Sequence, residues 1–481
     1  MIRKRKIALI TCCVIAGAVS LLNGCGGSAT NMATTTPPAD ASQTSAVTLT
    51  VTDAPPTGVT ILSFEVTVNG AVLNPGNVQL ITNPQRIEVK QLETDSAFLS
   101  TMNVPAGTYQ SITVNVTNPE LTVMNQSGAS IGNCADNSVC HLEPAAAGNV
   151  TFSGMPFPVM LQAGTPTGFQ LDLNVANLIS NTLALDFNAA GAISVAQLPL
   201  AGQPNDHLDD VDNLLGIVEN LDAPDSQFTL RTMSGDFLVK ANASTQFELE
   251  GCAADNFSCI QNGAVIEVDS EVMNGGAFIA KKIEAENDAN DDNNDAQNEV
   301  EGIIFKVDDA THFELVVLDE LSAANNVALG NPVVITLTNP QFQVDANGLN
   351  VPSALQGTFE GATDTSQLMP GQDVQIQSSS GGSMGSPITM ITNRVRLRST
   401  QFTANVSGAP APPNFTVAKL PSLFTSAGVN SILVQTSSQT NFQGGVGISA
   451  LADQSQVSLR GLLFKNGSDA PILIADKVRR R

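Results

Sequence analysis

The chain has 481 residues, with 45 Asp and Glu against 21 Lys and Arg, no Trp and a single Tyr, Tyr109. So acidic a surface repels phosphate backbones and anionic headgroups, which excludes nucleic acid as a partner. The scarcity of large aromatics argues against a sugar-stacking platform. A hydrophobic content of 42% with only 14% charged residues fits packed cores rather than a disordered polyampholyte, and the length suits about three or four domains.

The first residues read as an address. Arg3, Lys4, Arg5 and Lys6 are followed by an apolar run from Ile7 to Leu22 and then by Leu22-Asn23-Gly24-Cys25. This resembles the signal and lipobox of a bacterial lipoprotein. The basic end stays cytoplasmic, the apolar stretch engages export, and small residues before Cys25 let a peptidase reach the bond. The resemblance implies cleavage after residue 24 and a lipid thioether on Cys25. An ordinary cleaved signal and a single membrane anchor are the alternatives; the run is short for a spanning helix, which needs about 20 residues. Cys12 and Cys13 leave with the signal. All four N-terminal basic residues leave too, so the mature chain carries 17 basic against 45 acidic residues, a net charge of −28. The implied location is the cell envelope, lipid-anchored, at the outer membrane or cell surface rather than the inner membrane. The implied partners are the membrane, through the N-terminal lipid, and an envelope or extracellular ligand.

Residues 25–46, rich in Gly, Ser, Ala, Thr and Pro, read as a flexible tether. Beyond it apolar and polar residues alternate. Val47-Leu49-Val51, Phe64-Val66-Val68, Ile112-Val114-Val116 and Phe169-Leu171-Leu173-Val175 each point one way, with Gly, Pro and Asn between the runs. That is the period of half-buried antiparallel strands. Residues 91–101 are the one stretch suited to a short helix. Residues 47–198 therefore read as a β-sandwich.

Two motifs in this segment carry a resemblance. Val51-Thr52-Asp53-Ala54-Pro55 and Val104-Pro105-Ala106-Gly107-Thr108-Tyr109 are similar to signatures of domain-of-unknown-function family 4382, found at the front of envelope lipoproteins. The resemblance implies an immunoglobulin- or transthyretin-like sandwich and brings no catalytic residues. In Pro-x-Gly-x-Tyr the first residues make a turn, and Tyr109 starts a strand with its ring packed and its hydroxyl wet.

Four cysteines besides Cys25 survive processing, as two local pairs in similar Asn- and Asp-rich loops: Cys134 with Cys140, and Cys252 with Cys259. In an oxidising compartment such pairs read as disulfides. A zinc site lacks the C-x2-C spacing, although His141 follows Cys140.

Past residue 213 a pattern recurs three times. Each unit opens on a strand, at Leu215-Gly216-Ile217-Val218, at Glu301-Gly302-Ile303-Ile304, and near Phe402. Each then places a Phe after a polar turn, at Phe247, Phe342 and Phe442. Each closes on a related strand: Ala280-Lys281-Lys282-Ile283, Thr392-Asn393-Arg394-Val395 and Ala475-Asp476-Lys477-Val478. The units are too long for a solenoid and read as three small β-barrels. They resemble domain-of-unknown-function family 5666, which implies an OB-like barrel. The expected organisation is all-β: the sandwich, an acidic linker at 199–213, barrels at 214–284, 300–398 and 399–481, and a second acidic linker at 285–299.

No catalytic residue emerges. Gly381-Gly382-Ser383-Met384-Gly385 fits G-x-S-x-G, but a strand pattern follows it and no His lies downstream. Gly445-Val446-Gly447 lacks a surrounding βαβ unit. No cofactor is implied, with calcium as the one candidate. Counted from Asp288, oxygen side chains fall at Asp288, Asn290 and Asp292, with Glu299 twelfth, the spacing of an EF-hand loop. Asp295 occupies its apolar position and strands flank it, so a solvated acidic linker explains the run with fewer assumptions. The reading favoured is a non-enzymatic envelope protein displaying β modules for binding or architecture. A glycan-acting envelope hydrolase and a calcium-responsive adhesin are the alternatives.

Overall fold

A computed structural model describes residues 44–481 except 55–59, 95, 145–147, 200–206, 233–234, 250–255, 274–277, 286–298, 321–326, 347, 379–381, 384 and 444–446. Cys25, Cys252, Asp288, Asn290 and Asp292 lie outside the described residues.

The first module holds β1 (Thr44–Ala54), β2 (Thr60–Asn74), β3 (Val78–Gln79), β4 (Gln85–Glu88), β5 (Ala97–Pro105), β6 (Gly107–Tyr109), β7 (Ser111–Asn125), β8 (Ser138–Leu142), β9 (Gly148–Phe152), β10 (Val159–Leu161), β11 (Thr167–Asn174), the short helix α1 (Val175–Leu178) and β12 (Ile193–Pro199). One sheet runs β12-β11-β1-β5. The other runs β3-β2-β7-β8, with β4 also on β2 and β9 on β7. The alternating residues do what their period demands. Val47, Leu49, Phe64, Val66, Ile112, Val114, Phe169 and Leu171 enter one apolar core shared by the two sheets. β1 pairs in parallel with β11 and antiparallel with β5. The stretch at 91–101 is not the expected helix. A 3-10 turn ends at Leu92 and β5 begins at Ala97, because Ala97 and Leu99 pack into the core. Tyr109 is buried, and its hydroxyl donates to the Pro105 carbonyl at 2.9 Å. Cys134 and Cys140 are disulfide-bonded, with Cα atoms 5.7 Å apart. Cys259 is disulfide-bonded as well.

The three repeats each close a five-stranded ring. The first contains β13 (His207–Asp222), β14 (Gln227–Thr232), β15 (Gly235–Lys240), β16 (Gln246–Glu248), β17 (Val265–Met273) and β18 (Phe278–Ala285). The second contains β19 (Glu299–Val307), β20 (His312–Glu320), β21 (Pro332–Val344), α2 (Ser353–Glu360), β22 (Asp373–Ser378) and β23 (Ile388–Ala411). The third reuses β23 and adds β24 (Asn414–Ala418), α3 (Ser422–Ser426), β25 (Ser431–Gln435), β26 (Asn441–Gln443), β27 (Gln456–Phe464) and β28 (Ile472–Arg480). In every ring the third and fifth strands pair in parallel and close the barrel: β15 with β18, β21 with β23, β25 with β28.

The recurring residues have equivalent places. Phe247, Phe342 and Phe442 sit on short stretches that run parallel to the closing strand, opposite Ile283, Val395 and Val478. Lys281, Asn393 and Asp476 fall where the closing strand slips one residue against its neighbour, a bulge repeated in all three barrels. Thr245 and Thr440 donate to the carbonyls of Ala280 and Ala475, each at 2.7 Å.

Two expected boundaries move. Residues 207–213 are not linker; they belong to β13 and pair with β17. The join expected at 398/399 lies inside β23, a 24-residue strand. Its first half pairs with β21 and β22, and its second half with β24 and β27.

Gly302 tests the second barrel. A Cβ there would lie 2.3 Å from the Val316 carbonyl oxygen; at Gly216, the same place in the first barrel, the distance to the Arg231 oxygen is 2.7 Å. Backbone must move in both cases. Gly302→Ala should destabilise the protein by about 1–3 kcal/mol, and more than Gly216→Ala. Thermal melting of the two variants measures this, and an unchanged melting point for Gly302→Ala would refute it.

Candidate functional site

The polar residues of β19, β22 and β23 form the most unusual surface of the second barrel. Val300, Ile304, Val374, Ile376, Val395 and Leu397 face its core. The intervening residues face outward, and the strand register sets them in rows: Glu299 beside Gln377 beside Arg394, then Glu301, Gln375 and Arg396, then Ile303, Asp373 and Arg398. An outward polar face is ordinarily wet, but here Glu299, Glu301, Asp373, Gln375, Gln377 and Arg398 are all buried.

The first barrel supplies part of the cover. Arg398 is 1% exposed, and its guanidinium meets Glu267 of β17, Asp345 at 2.6 Å and Glu301 at 3.4 Å. Arg396 reaches Glu284 at 3.3 Å. Lys282, the buried one of two lysines on the first closing strand, lies 2.9 Å from Glu248, 3.0 Å from Glu284 and 3.6 Å from Asp345. Burial opposes the charge on Lys282, but Asp345 and Glu284 outweigh it and lift its pKa above the usual lysine range. Asp373 has the opposite balance. Burial first, and then the neighbouring Glu301, push its carboxyl well above the ordinary range against Arg398 and Lys90. Its Oδ1 meets no hydrogen-bond donor among the described residues.

The first module docks through the turn after β4. Glu88 is buried and caps that turn, accepting from Ser63 at 2.5 Å, from the Phe64 amide at 2.8 Å and from the Lys90 amide at 2.9 Å. Lys90 Nζ donates to the Gln401 carbonyl at 2.9 Å and pairs with Glu93. Thr403 donates to Glu93 at 2.9 Å, and Thr94 to the Gln401 side chain at 2.7 Å. Beside these bonds Leu62 packs with Ile303, Phe305, Val316, Leu318 and Leu423 in an apolar cluster from three modules.

Two cavities lie at this junction. One, of about 420 Å³, opens between the first module and the third barrel, with Phe64, Val89, Phe402, Leu420 and Phe424 on its walls. The other, of about 120 Å³, is lined by all four modules and includes Asp373. Lys90, Gln401 and Ile303 line both.

Glu299 does not stand free at the end of an acidic loop; it is buried at the start of β19 and its carboxylate accepts from Gln375 at 3.3 Å. Among the described residues no group of three or more His, Cys, Asp or Glu is arranged to hold a metal. Ser383 lies in a hairpin turn, exchanging bonds of 3.0 Å with Thr389 through its amide and hydroxyl, and a strand follows it. The junction residues escaped the sequence reading, although Arg394-Val395-Arg396-Leu397-Arg398 carries a signal. A strand with an all-Arg outer face beside Glu-rich strands calls for burial by pairing.

Residues 44–203 match the family described as Domain of unknown function (DUF4382). Residues 216–284 match that described as Domain of unknown function (DUF5666). These are the two families the N-terminal motifs and the repeats resemble. No curated protein matches the chain. Among solved structures, "drosophila Unr CSD456" is 10% identical and covers 56% of this chain and 98% of its own, with a TM-score of 0.13, too loose a superposition to carry an argument.

Two measurements probe the junction. Arg398→Met strands three buried carboxylates, and losing one partner of such a set costs about 3–5 kcal/mol. Urea unfolding should show that loss, and a variant within about 0.5 kcal/mol of wild type would deny the network its role. Glu65, paired with Arg86, has its pKa raised by burial to about 7. The folded state then keeps a proton that the unfolded chain releases near 4.5, so this group's contribution is full below about 4.5 and is lost as pH rises through about 7. Glu65→Gln lacks that loss. Its melting point relative to wild type should rise between about pH 4.5 and about pH 8; a difference independent of pH would contradict the assignment.

Proposed function

We propose that this is a non-enzymatic, lipid-anchored protein of the cell envelope that binds a ligand where its modules meet. The observation that carries the reading is the cavity of about 420 Å³ whose walls come mainly from the first module and the third barrel, with Ile303 of the second. The polar groups along its rim, Lys90, Glu93 and Thr403, are engaged with one another across the joint. Such a rim suits holding a molecule with an apolar body better than transferring protons. The basic start, apolar run and Cys25 of the sequence support the anchor. No helix among the described residues is long and apolar enough to cross a membrane.

A second reading has one observation in its favour: Glu301 and Asp373 are neighbouring carboxylates at a cavity, one with a raised pKa, as glycan hydrolysis uses. Arg398 beside both argues for a structural pair. Incubation with purified envelope polysaccharide decides between the readings: no new reducing ends should appear, and their appearance in wild type but not in Asp373→Asn would establish the hydrolase. The anchor is tested separately. Labelled palmitate should enter the wild-type protein and not Cys25→Ser; label persisting in that variant would remove the lipid from the proposal.

A further inference from the structure

Buried Glu65 and Asp373 and half-buried Asp172 each have one carboxylate oxygen lacking a donor among the described residues, and of these Asp373 lines the four-module cavity. Asp373 is 6% exposed. Part of the wall around it is apolar, with Leu92 from the first module, Phe237 and Phe278 from the first barrel, and Ile303 and Leu318 from the second, beside polar groups such as Ser96, Thr400 and Gln401. The two Phe rings are 5.0 Å apart.

The charges at this cavity point to the sign of a guest. Arg86, Lys90 and Arg460 contribute to its walls, but each faces a carboxylate elsewhere: Glu65, Glu93 and, at 3.5 Å, Asp476. An anion would find those cations already paired and would meet Asp373. A bare metal ion needs several oxygens converging on it; among the described residues no three acidic, His or Cys side chains are so arranged, and of the carboxylates near Asp373, Glu88 is held by Ser63 and two backbone amides and Glu301 faces Arg398. A cation with N–H donors and a carbon body satisfies both the oxygen and the walls, and aromatic rings favour such an ion further. An apolar cavity of about 150 Å³ accepts benzene; this one, of about 120 Å³, has room for a guest of about five heavy atoms.

We propose that the cavity where the four modules meet binds a small organic ammonium ion, with the Asp373 carboxylate as its counter-ion. The site is separate from the larger cavity and does not rest on the function proposed for it. The ion pairs with the ionised carboxylate, so binding tightens as pH rises through the titration of Asp373, which burial moves upward. The other charged groups facing Asp373 are Glu88, Arg86 and Lys90 from the first module, Glu301 and Asp319 from the second barrel, Arg398 from β23 and Arg460 from β27.

Titration calorimetry of n-butylammonium into the purified full-length protein tests this. Saturable heat is expected, with an affinity that grows as pH is raised. n-Butanol, with the same carbon chain and no charge, should bind roughly tenfold more weakly or worse. Asp373→Asn should weaken n-butylammonium by a similar factor. Ser399→Leu, which fills the cavity from β23 at a residue outside the apolar cores, should also abolish binding, and it keeps the test open should Asp373→Asn fail to fold. No heat from n-butylammonium in the wild type, or binding unchanged in either folded variant, or equal binding of n-butanol, would overturn the proposal.

Discussion

Arg398 is the interaction on which the arrangement of barrels depends. A guanidinium this deep is tolerable only if its donors are met by carboxylates in fixed positions, because desolvating the charge costs several kcal/mol. Glu267 comes from the first barrel, and Glu301 and Asp345 from the second. Any rotation of one barrel against the other would leave buried charges without partners. Hydrophobic contact alone would permit sliding; a forked donor facing several acceptors does not. Lys282, sharing Asp345, fixes the same joint at a second point.

The first module is held by a different device. Its contact combines an apolar patch, centred on Leu62, with hydrogen bonds to backbone carbonyls of the barrels, such as Lys90 to Gln401 and Thr122 to Gly330 at 2.5 Å. Carbonyl acceptors cannot change charge, whereas Glu93, which accepts from Thr403 across the same joint, can. The strands β19 and β20 serve both purposes. Ile304, Leu315 and Val317 pack inward, while Ile303, Val316 and Leu318 meet the first module.

Much of the fold was legible because its signals are local. Alternation placed the strands, and the Phe after each polar turn marked the repeat. The paired cysteines located the loop closed by Cys134 and Cys140. The limits of legibility have a physical cause. Helical propensity at 91–101 lost to core packing by Ala97 and Leu99. Acidity at 207–213 suggested a linker, yet backbone pairing with β17 made it strand. A strand serving two barrels has no boundary residues, so nothing at 398/399 could announce one. The junction is the hardest case. An outward Glu or Arg on a strand looks the same in sequence whether water or another module faces it. Besides the alternating Arg394-Val395-Arg396-Leu397-Arg398, the doubly apolar runs Ile303-Ile304-Phe305 and Leu315-Val316-Val317-Leu318 hinted that an outer face was covered.

The pairing of β1 bears on how the molecule carries force. Tension entering at Thr44 pulls along β1, which lies between β11 and β5 inside its sheet. β1 and β11 run parallel through Val47–Ala54 and Thr167–Asn174. A pull along the strand therefore loads these ladder bonds together, in shear, instead of opening them one after another like a zip. Were β1 an edge strand peeled from one end, the bonds would fail singly at small force. The strand order thus makes Thr44 a mechanically strong point at which to load the first module.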